Sequence, residues 1–350
     1  MTEFKELNVS NDEIDDADEL RRRMKDEGYL FFRKLQDPDK LRSLRLDILE
    51  VMREGGWLKA GTKLADGIAN LSHRCTEGDS QYTDVYHEVY KLESFHRAGH
   101  WPELLDMMKK IIGDKVFPYP HKIARLWFPQ YTDHTTPAHQ DFVHFQGNYE
   151  TYTSWSPVGD SSIELGGLAI LPGSHKQNTV FDHHFSLGAG ALTVDPKEHS
   201  GDWVTTNYEI GDTLIFHCLT LHRALPNLTP DRLRVSLDNR YQALGLPLAE
   251  TMLEPHLHNF SEISWDKVYQ DWKSDDLQYY WKDLDFPIIP KDFSFGDKGF
   301  AEALELTRQG DEQARYALSR LIKRDPTSDQ AKAAQGVLQE YEANTTGTVN

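Results

Sequence analysis

From about residue 121 the hydrophobic period of the chain changes from that of a helix to two, and this switch restricts the fold more than any other feature. Segments 121–128, 149–155, 168–171, 203–208, 213–217 and 233–241 read as short strands. Turn signals separate them: Pro157-Val158-Gly159-Asp160, Gly166-Gly167, Pro172-Gly173-Ser174, Gly211-Asp212 and Pro226-Asn227. Short strands divided by Gly and Pro turns, with no helices between, build an antiparallel sandwich or jelly roll rather than a parallel Rossmann sheet. No G-x-G-x-x-G or Walker A pattern offers a nucleotide site.

Helical segments flank this core. In 13–25, Ile14, Ala17, Leu20 and Met24 share one face, and Gly28 stops the helix before a buried strand at Tyr29–Phe32. Asp37-Pro38 opens a second helix with face Leu41, Leu44, Ile48 and Val51, ended by Gly55-Gly56. Residues 57–98 are polar and punctuated by Gly61, Gly67 and Gly78, which suits a loop folded over a pocket. Residues 101–112 again show a helical face. After 250 the chain turns Trp- and Tyr-rich, and three helices are expected at 300–307, 311–323 and 328–341. The fold class is mainly β with flanking helices: a jelly-roll core at about 115–245 within a domain of 1–295, a helical extension at 296–343, and a disordered tail at 344–350.

A formal charge of −18 over 350 residues argues against binding nucleic acid or acidic membranes, though not against a small anion met by a local Arg. The polar, acidic start lacks the apolar run of a signal peptide, and no 18-residue apolar stretch exists. A cytoplasmic protein acting on a small molecule is expected, with oligomeric state open. Cys75 and Cys218 are far apart and in no Cys-x-x-Cys pair, so they read as reduced, buried residues.

Against this frame stands the segment Pro137-Ala138-His139-Gln140-Asp141. Among sixteen histidines and 56 acids a single His-x-Asp arises easily by chance. On a strand, however, residues i and i+2 face the same way, so His139 and Asp141 can reach one ion. His222, after the strand 213–217, supplies a third ligand. Two imidazoles and one carboxylate on one face of a metal leave three positions open, which suits Fe(II) and oxygen chemistry.

The motifs together resemble the phytanoyl-CoA dioxygenase family of Fe(II)/2-oxoglutarate oxygenases. The carrying segments are Pro137 to Asp141, Gly166-Gly167-Leu168-Ala169-Ile170-Leu171-Pro172-Gly173-Ser174-His175, Gly211 to His217, His222-Arg223-Ala224-Leu225-Pro226-Asn227 and Arg234-Val235-Ser236. Asp26-Glu27-Gly28-Tyr29 adds the N-terminal helix–strand unit, so the likeness spans about 13–245 and excludes the tail. It implies a double-stranded β-helix with His139, Asp141 and His222 on iron. Arg234 would bind the distal carboxylate of 2-oxoglutarate, helped by Ser236, and Arg232 is its rival on the same strand face. The presence of Asp141 points to hydroxylation rather than halogenation. The implied reaction consumes O2 and 2-oxoglutarate, hydroxylates an unactivated C–H bond and releases succinate and CO2.

Further residues carry weaker indications. Gln140 and Arg125 are candidates to touch the co-substrate, with strand-end hydrogen bonds and an ion pair as the alternatives. Trp155, His144 and Tyr152 are candidates for the substrate pocket, with specificity expected from 57–98 and 142–152. His134, His144 and His217 as extra ligands are weaker than ordinary hydrogen-bonded histidines. Two other readings stay open at this level. One is a cupin-like metalloenzyme of another reaction class, and the other is a non-catalytic metal-binding or sensing protein.

Overall fold

The computed structural model describes residues 4–188, 190–324 and 326–346. Its strands are β1 (Lys5–Glu6), β2 (Tyr29–Phe32), β3 (Val116–Pro118), β4 (Ile123–Trp127), β5 (Thr151–Pro157), β6 (Leu168–Ile170), β7 (His184–Phe185), β8 (Leu192–Thr193), β9 (Val204–Thr205), β10 (Thr213–His217), β11 (His222–Ala224), β12 (Arg234–Ala243), β13 (Leu248–Ala249) and β14 (Ile288–Ile289). The helices are α1 (Ala17–Glu27), α2 (Pro38–Glu54), α3 (Ser80–Tyr90), α4 (Glu93–Ala98), α5 (Pro102–Ile112), α6 (Phe142–Phe145), α7 (Trp265–Tyr269), α8 (Asp297–Arg308), α9 (Glu312–Arg324) and α10 (Asp329–Thr346).

Two sheets form the jelly-roll core. The larger runs β2-β10-β5-β12-β3, with β4 also paired to β12, and the smaller runs β1-β9-β6-β11. All these pairings are antiparallel except β1 with β9. The sheets face one another as an open sandwich. Tyr29, Phe31, Trp155, Leu214 and Phe216 of the larger pack against Leu168, Ile170, Val204 and Ala224 of the smaller in one buried cluster.

Register explains why one half of this interior is dry and the other polar. Leu214 pairs with Phe31 and Trp155, and Phe216 with Tyr29 and Thr153, so these side chains share the inner face. Continuing across the sheet, Asp238 pairs with Trp155, Arg240 with Thr153, Ser236 with Arg125, and Arg234 with Trp127. The alternate residues Val235 and Leu237 join the apolar cluster on the sheet's outer side. The period-two pattern of β12 therefore turns its polar row inward, the reverse of a water-facing strand.

The outer face is covered by helices. Asp16 caps α1 by accepting from the amides of Asp18 and Glu19, and Gly28 closes it at φ 79°. A side chain at Gly28 is excluded twice over, because its Cβ would stand 2.4 Å from His175 Nδ1. Leu20 and Met24 of α1 meet Leu104, Met107 and Ile111 of α5 over Leu30, Ile215 and Tyr241. Truncating such a side chain to Ala costs roughly 2–5 kcal/mol.

Residues 57–98, expected as a loop, contain α3 and α4. The cause is an aromatic ladder at i, i+4 and i+8: Tyr82, Tyr86 and Tyr90 lie on one buried face, with Tyr82 and Tyr86 stacked at 5.6 Å. The three tail helices form as expected around Ala303, Ala314, Leu318 and Ala334. Of the tail expected to be disordered, 344–346 end α10, and 347–350 lie outside the described residues. No helix among the described residues is long and apolar enough to cross a membrane.

Lys122 is 2% exposed, with its ammonium on Tyr119 O at 2.9 Å and His100 Nε2 at 3.3 Å. Burial lowers its pKa from 10.5 to about 7. The unfolded chain therefore binds more protons than the folded one between these values, and stability should rise with pH across that window. Lys122→Met should remove that rise; equal slopes for variant and parent in urea titrations at pH 7.5 and 9.5 would contradict this account.

Candidate metal centre

His139 and His222 meet because the segment 137–140 lies antiparallel beside β11. Each donates its backbone N–H to the other's carbonyl, at 3.0 and 3.2 Å. Their rings face each other with centroids 4.2 Å apart. Asp141 follows where the chain turns from extended to helical (φ −58°, ψ −29°) ahead of α6, and this turn swings its carboxylate under both rings. The nitrogens of the two rings and the carboxylate oxygen lie within 4.8 Å of one another, and all three residues are buried.

Hydrogen bonding assigns a role to every donor atom. His139 Nδ1 lies 2.8 Å from Pro137 O, and His222 Nδ1 3.0 Å from Thr220 O. A carbonyl only accepts, so each Nδ1 carries a proton and each ring turns its Nε2 toward Asp141. Both Nε2 atoms stand 3.5 Å from Asp141 Oδ1. The other carboxylate oxygen, Oδ2, accepts from Thr153 Oγ1 and from Arg240 Nη2, the latter at 3.3 Å. Burial alone would push the Asp141 carboxyl up, yet Arg240 and then the imidazoles hold it well below the ordinary carboxylate range. Burial, then His222, holds His139 below the usual imidazole value against the pull of Asp141. Two imidazole nitrogens and one carboxylate oxygen form a donor set that suits divalent iron.

The three side chains open into a cleft of about 350 Å³, counting its mouth, that also reaches Arg234, Trp155 and Arg240. Two residues that line it carry buried donors with no partner among the described residues, Nε of Arg234 and Nε and Nη1 of Arg240, and Ser236 Oγ and Trp127 Nε1 are partnerless beside Arg234 on β12 and β4. Arg234 spends one N–H on Gly166 O at 2.8 Å, and burial pushes its guanidinium down to about 9. Unmet buried donors are costly and call for an acceptor. Charge gives the same answer. Arg125, Arg234 and Arg240 stand among three carboxylates, Asp141, Asp238 and Glu77. An added dication leaves two positive charges, which a dicarboxylate neutralises.

Of the other residues singled out from sequence, Trp155 lines this cleft. His144 is adjacent, with its ring 5.5 Å from that of His139. Arg125 borders the cleft, but its guanidinium is engaged by Asp238 at 2.9 Å and Glu77 at 3.3 Å, so the ion-pair alternative describes it. Gln140 takes its hydrogen-bonding alternative, its amide donating to Thr179 O and Leu219 O and accepting from Phe181 N. Tyr152 is corrected: strand alternation turns it to the outer face, where its hydroxyl meets Glu150. Arg232 is exposed, outside the cleft. His217, beside His175, stands apart from the metal cluster.

Arg240, Thr153 and Asp238 were not anticipated. The alternation Arg234, Ser236, Asp238, Arg240, Gln242 is visible in the sequence, but a polar row reads the same whether it faces water or a buried site.

A model of the phytanoyl-CoA dioxygenase family matches residues 24–235. A 1-deoxypentalenic acid 11-beta-hydroxylase of Streptomyces arenae is 26% identical over 243 residues, covering 65% of this chain and 82% of that protein. Its counterpart from Streptomyces exfoliatus is 27% identical over the same span. Among solved structures, apo ThoJ, a non-heme monooxygenase, covers 92% of this chain and 99% of its own at 15% identity and TM-score 0.47. The epimerase SnoN in complex with Fe3+, alpha ketoglutarate and nogalamycin RO covers 66% and 84% at 19% identity and TM-score 0.45.

Because Thr153 and Arg240 leave Asp141 one oxygen for the ion, Thr153→Val and Arg240→Met should each weaken metal binding about tenfold or more. Mn(II) titration followed by electron paramagnetic resonance measures this, and wild-type affinity in both variants would contradict the assignment.

Proposed function

We propose that this chain, which belongs to the phytanoyl-CoA dioxygenase family, holds Fe(II) with His139, Asp141 and His222 and grips 2-oxoglutarate with Arg234. The protein is a 2-oxoglutarate-dependent hydroxylase. Bound iron supplies oxygen activation coupled to decarboxylation, so that one oxygen atom ends in succinate and the other in the hydroxylated product.

The observation that carries the assignment is a juxtaposition. Partnerless donors of Arg234, Ser236 and Trp127 share one face of β12 and β4, and Arg234 opens into the same cleft as the three ligands. A guanidinium edge with a free Nε grips a carboxylate in plane, and Ser236 and Trp127 add neutral donors beside it. Arg240 keeps Asp141 ionised and aimed. Trp155, Leu168, Phe216 and Ala224 give the cleft an apolar side. These walls exclude water and suit the hydrocarbon part of a substrate. The substrate we propose is a small molecule presenting an unactivated C–H bond to that wall, the Streptomyces relatives being hydroxylases of a small carboxylic acid.

Succinate formation with Fe(II), ascorbate and 2-oxoglutarate against a panel of small carboxylic acids tests this. Wild type should produce succinate above the His139→Ala background. Arg234→Ala should raise the KM for 2-oxoglutarate by about tenfold or more, the worth of a lost charge-assisted contact. Succinate equal to the His139→Ala background with every candidate would count against the reading.

A further inference from the structure

The segment that carries His139 has two edges. One is bound to β11. The other is bound to the β7–β8 hairpin and its flanks, where Val194 N and Thr193 Oγ1 donate to Ala138 O at 2.7 and 3.2 Å. The Gln140 amide clamps Thr179 O at 3.1 Å and Phe181 N at 2.8 Å. Gly188 presses so close that a Cβ there would stand 2.2 Å from Thr135 O. Among the described residues the hairpin strands pair at two positions, His184 with Thr193 and Phe185 with Leu192, and so short a hairpin is marginal alone.

Helix α8 supplies the missing support. Glu302 accepts from His184 Nδ1 at 2.7 Å with one oxygen and from Phe185 N at 2.9 Å with the other. Gly299 lies flat on the hairpin, where a Cβ would come within 2.9 Å of Leu192 Cδ2 and 3.1 Å of Phe185 N. Phe185 packs into the tail's own core beside Ala303, Ala314, Leu318 and Ala334. Beside the hairpin, His183 is 2% exposed with its Nε2 partnerless, its neighbours including the His139 ring. All of α8–α10 lies beyond residue 235, where the family match ends.

We infer that the C-terminal helices are part of the metal site, and that Glu302 is a positioning residue which, through the hairpin, fixes the strand bearing His139. The chain of contacts runs Glu302 to Phe185, Thr193 and Val194 to Ala138, and Ala138 to its neighbour His139. This rests on the reading of His139, Asp141 and His222 as metal ligands. The tail is then no detachable appendage but an outer support of the segment that bears His139.

The test uses the full chain, with Mn(II) as the probe and Glu302→Ala, Glu302→Gln and Gly299→Ala as variants. In Glu302→Ala, amide exchange of Phe185, Val194 and His139 should quicken by about tenfold, with β12 unchanged. Its Kd for Mn(II) should rise by about three- to tenfold, less than the loss on removing a direct support of a ligand. Glu302→Gln keeps an acceptor for Phe185 N and should stay within about twofold of wild type. Gly299→Ala, which crowds the same contact without removing the carboxylate, should change exchange and affinity in the direction of Glu302→Ala and serves if that variant does not fold. Faster hairpin exchange with wild-type exchange at His139 and wild-type Mn(II) affinity, or no change in any of them, overturns the inference. If wild type binds Mn(II) no better than His139→Ala, the ligand reading fails separately. The exchange at His139 alone then decides whether Glu302 positions that strand.

Discussion

The site depends on how one buried carboxylate is divided. Asp141 Oδ2 is engaged by Thr153 and Arg240, so only Oδ1 faces the two imidazoles. Burial favours the protonated acid, a poor ligand for a divalent ion, and Arg240 is the largest of the influences, ahead of the imidazoles, that hold the carboxyl ionised. Arg240 is itself affordable only because β12 turns a polar row into the sandwich, with Phe145 under its guanidinium at 3.6 Å and Asp238 nearby. The architecture thus follows from a need to bury charge in balanced groups. Apolar residues fill one half of the sandwich, and the ionic groups gather in the other beside β12 and β4.

That division also explains the cleft's chemistry. Protein charges balance before any ion or co-substrate enters, while donors on Arg234, Ser236, Trp127 and Arg240 remain unmet. A polar cavity left in this condition is prepared for a ligand, because its desolvation has already been met by folding. A dication together with a dicarboxylate satisfies both the charge and the donors.

Much of this was legible in the sequence. The period-two strands and their Gly and Pro turns located the sandwich, and the spacing of His139, Asp141 and His222 picked out the residues that come together. Of Arg234 and its rival Arg232, Arg234 is the buried one. What stayed hidden depended on direction. Alternation says that Arg240 and Tyr152 face opposite ways relative to their neighbours, but not which face is the interior. Gln140 stayed open between two readings for the same reason, since it sits between two ligands yet points to the hairpin. The helices α3 and α4 were obscured by polar, Gly-containing flanks around an aromatic ladder. The link from Glu302 to His184 and Phe185 spans more than a hundred residues, and no local pattern signals it.

The most direct measurement is iron-edge anomalous diffraction from anaerobic crystals grown with Fe(II) and 2-oxoglutarate. A single strong peak between His139 Nε2, His222 Nε2 and Asp141 Oδ1, with the far carboxylate of 2-oxoglutarate on Arg234 and Ser236, is the result this account requires. Iron held by other residues, or that carboxylate seated on Arg232 or elsewhere while Arg234 keeps its partnerless Nε, would contradict it.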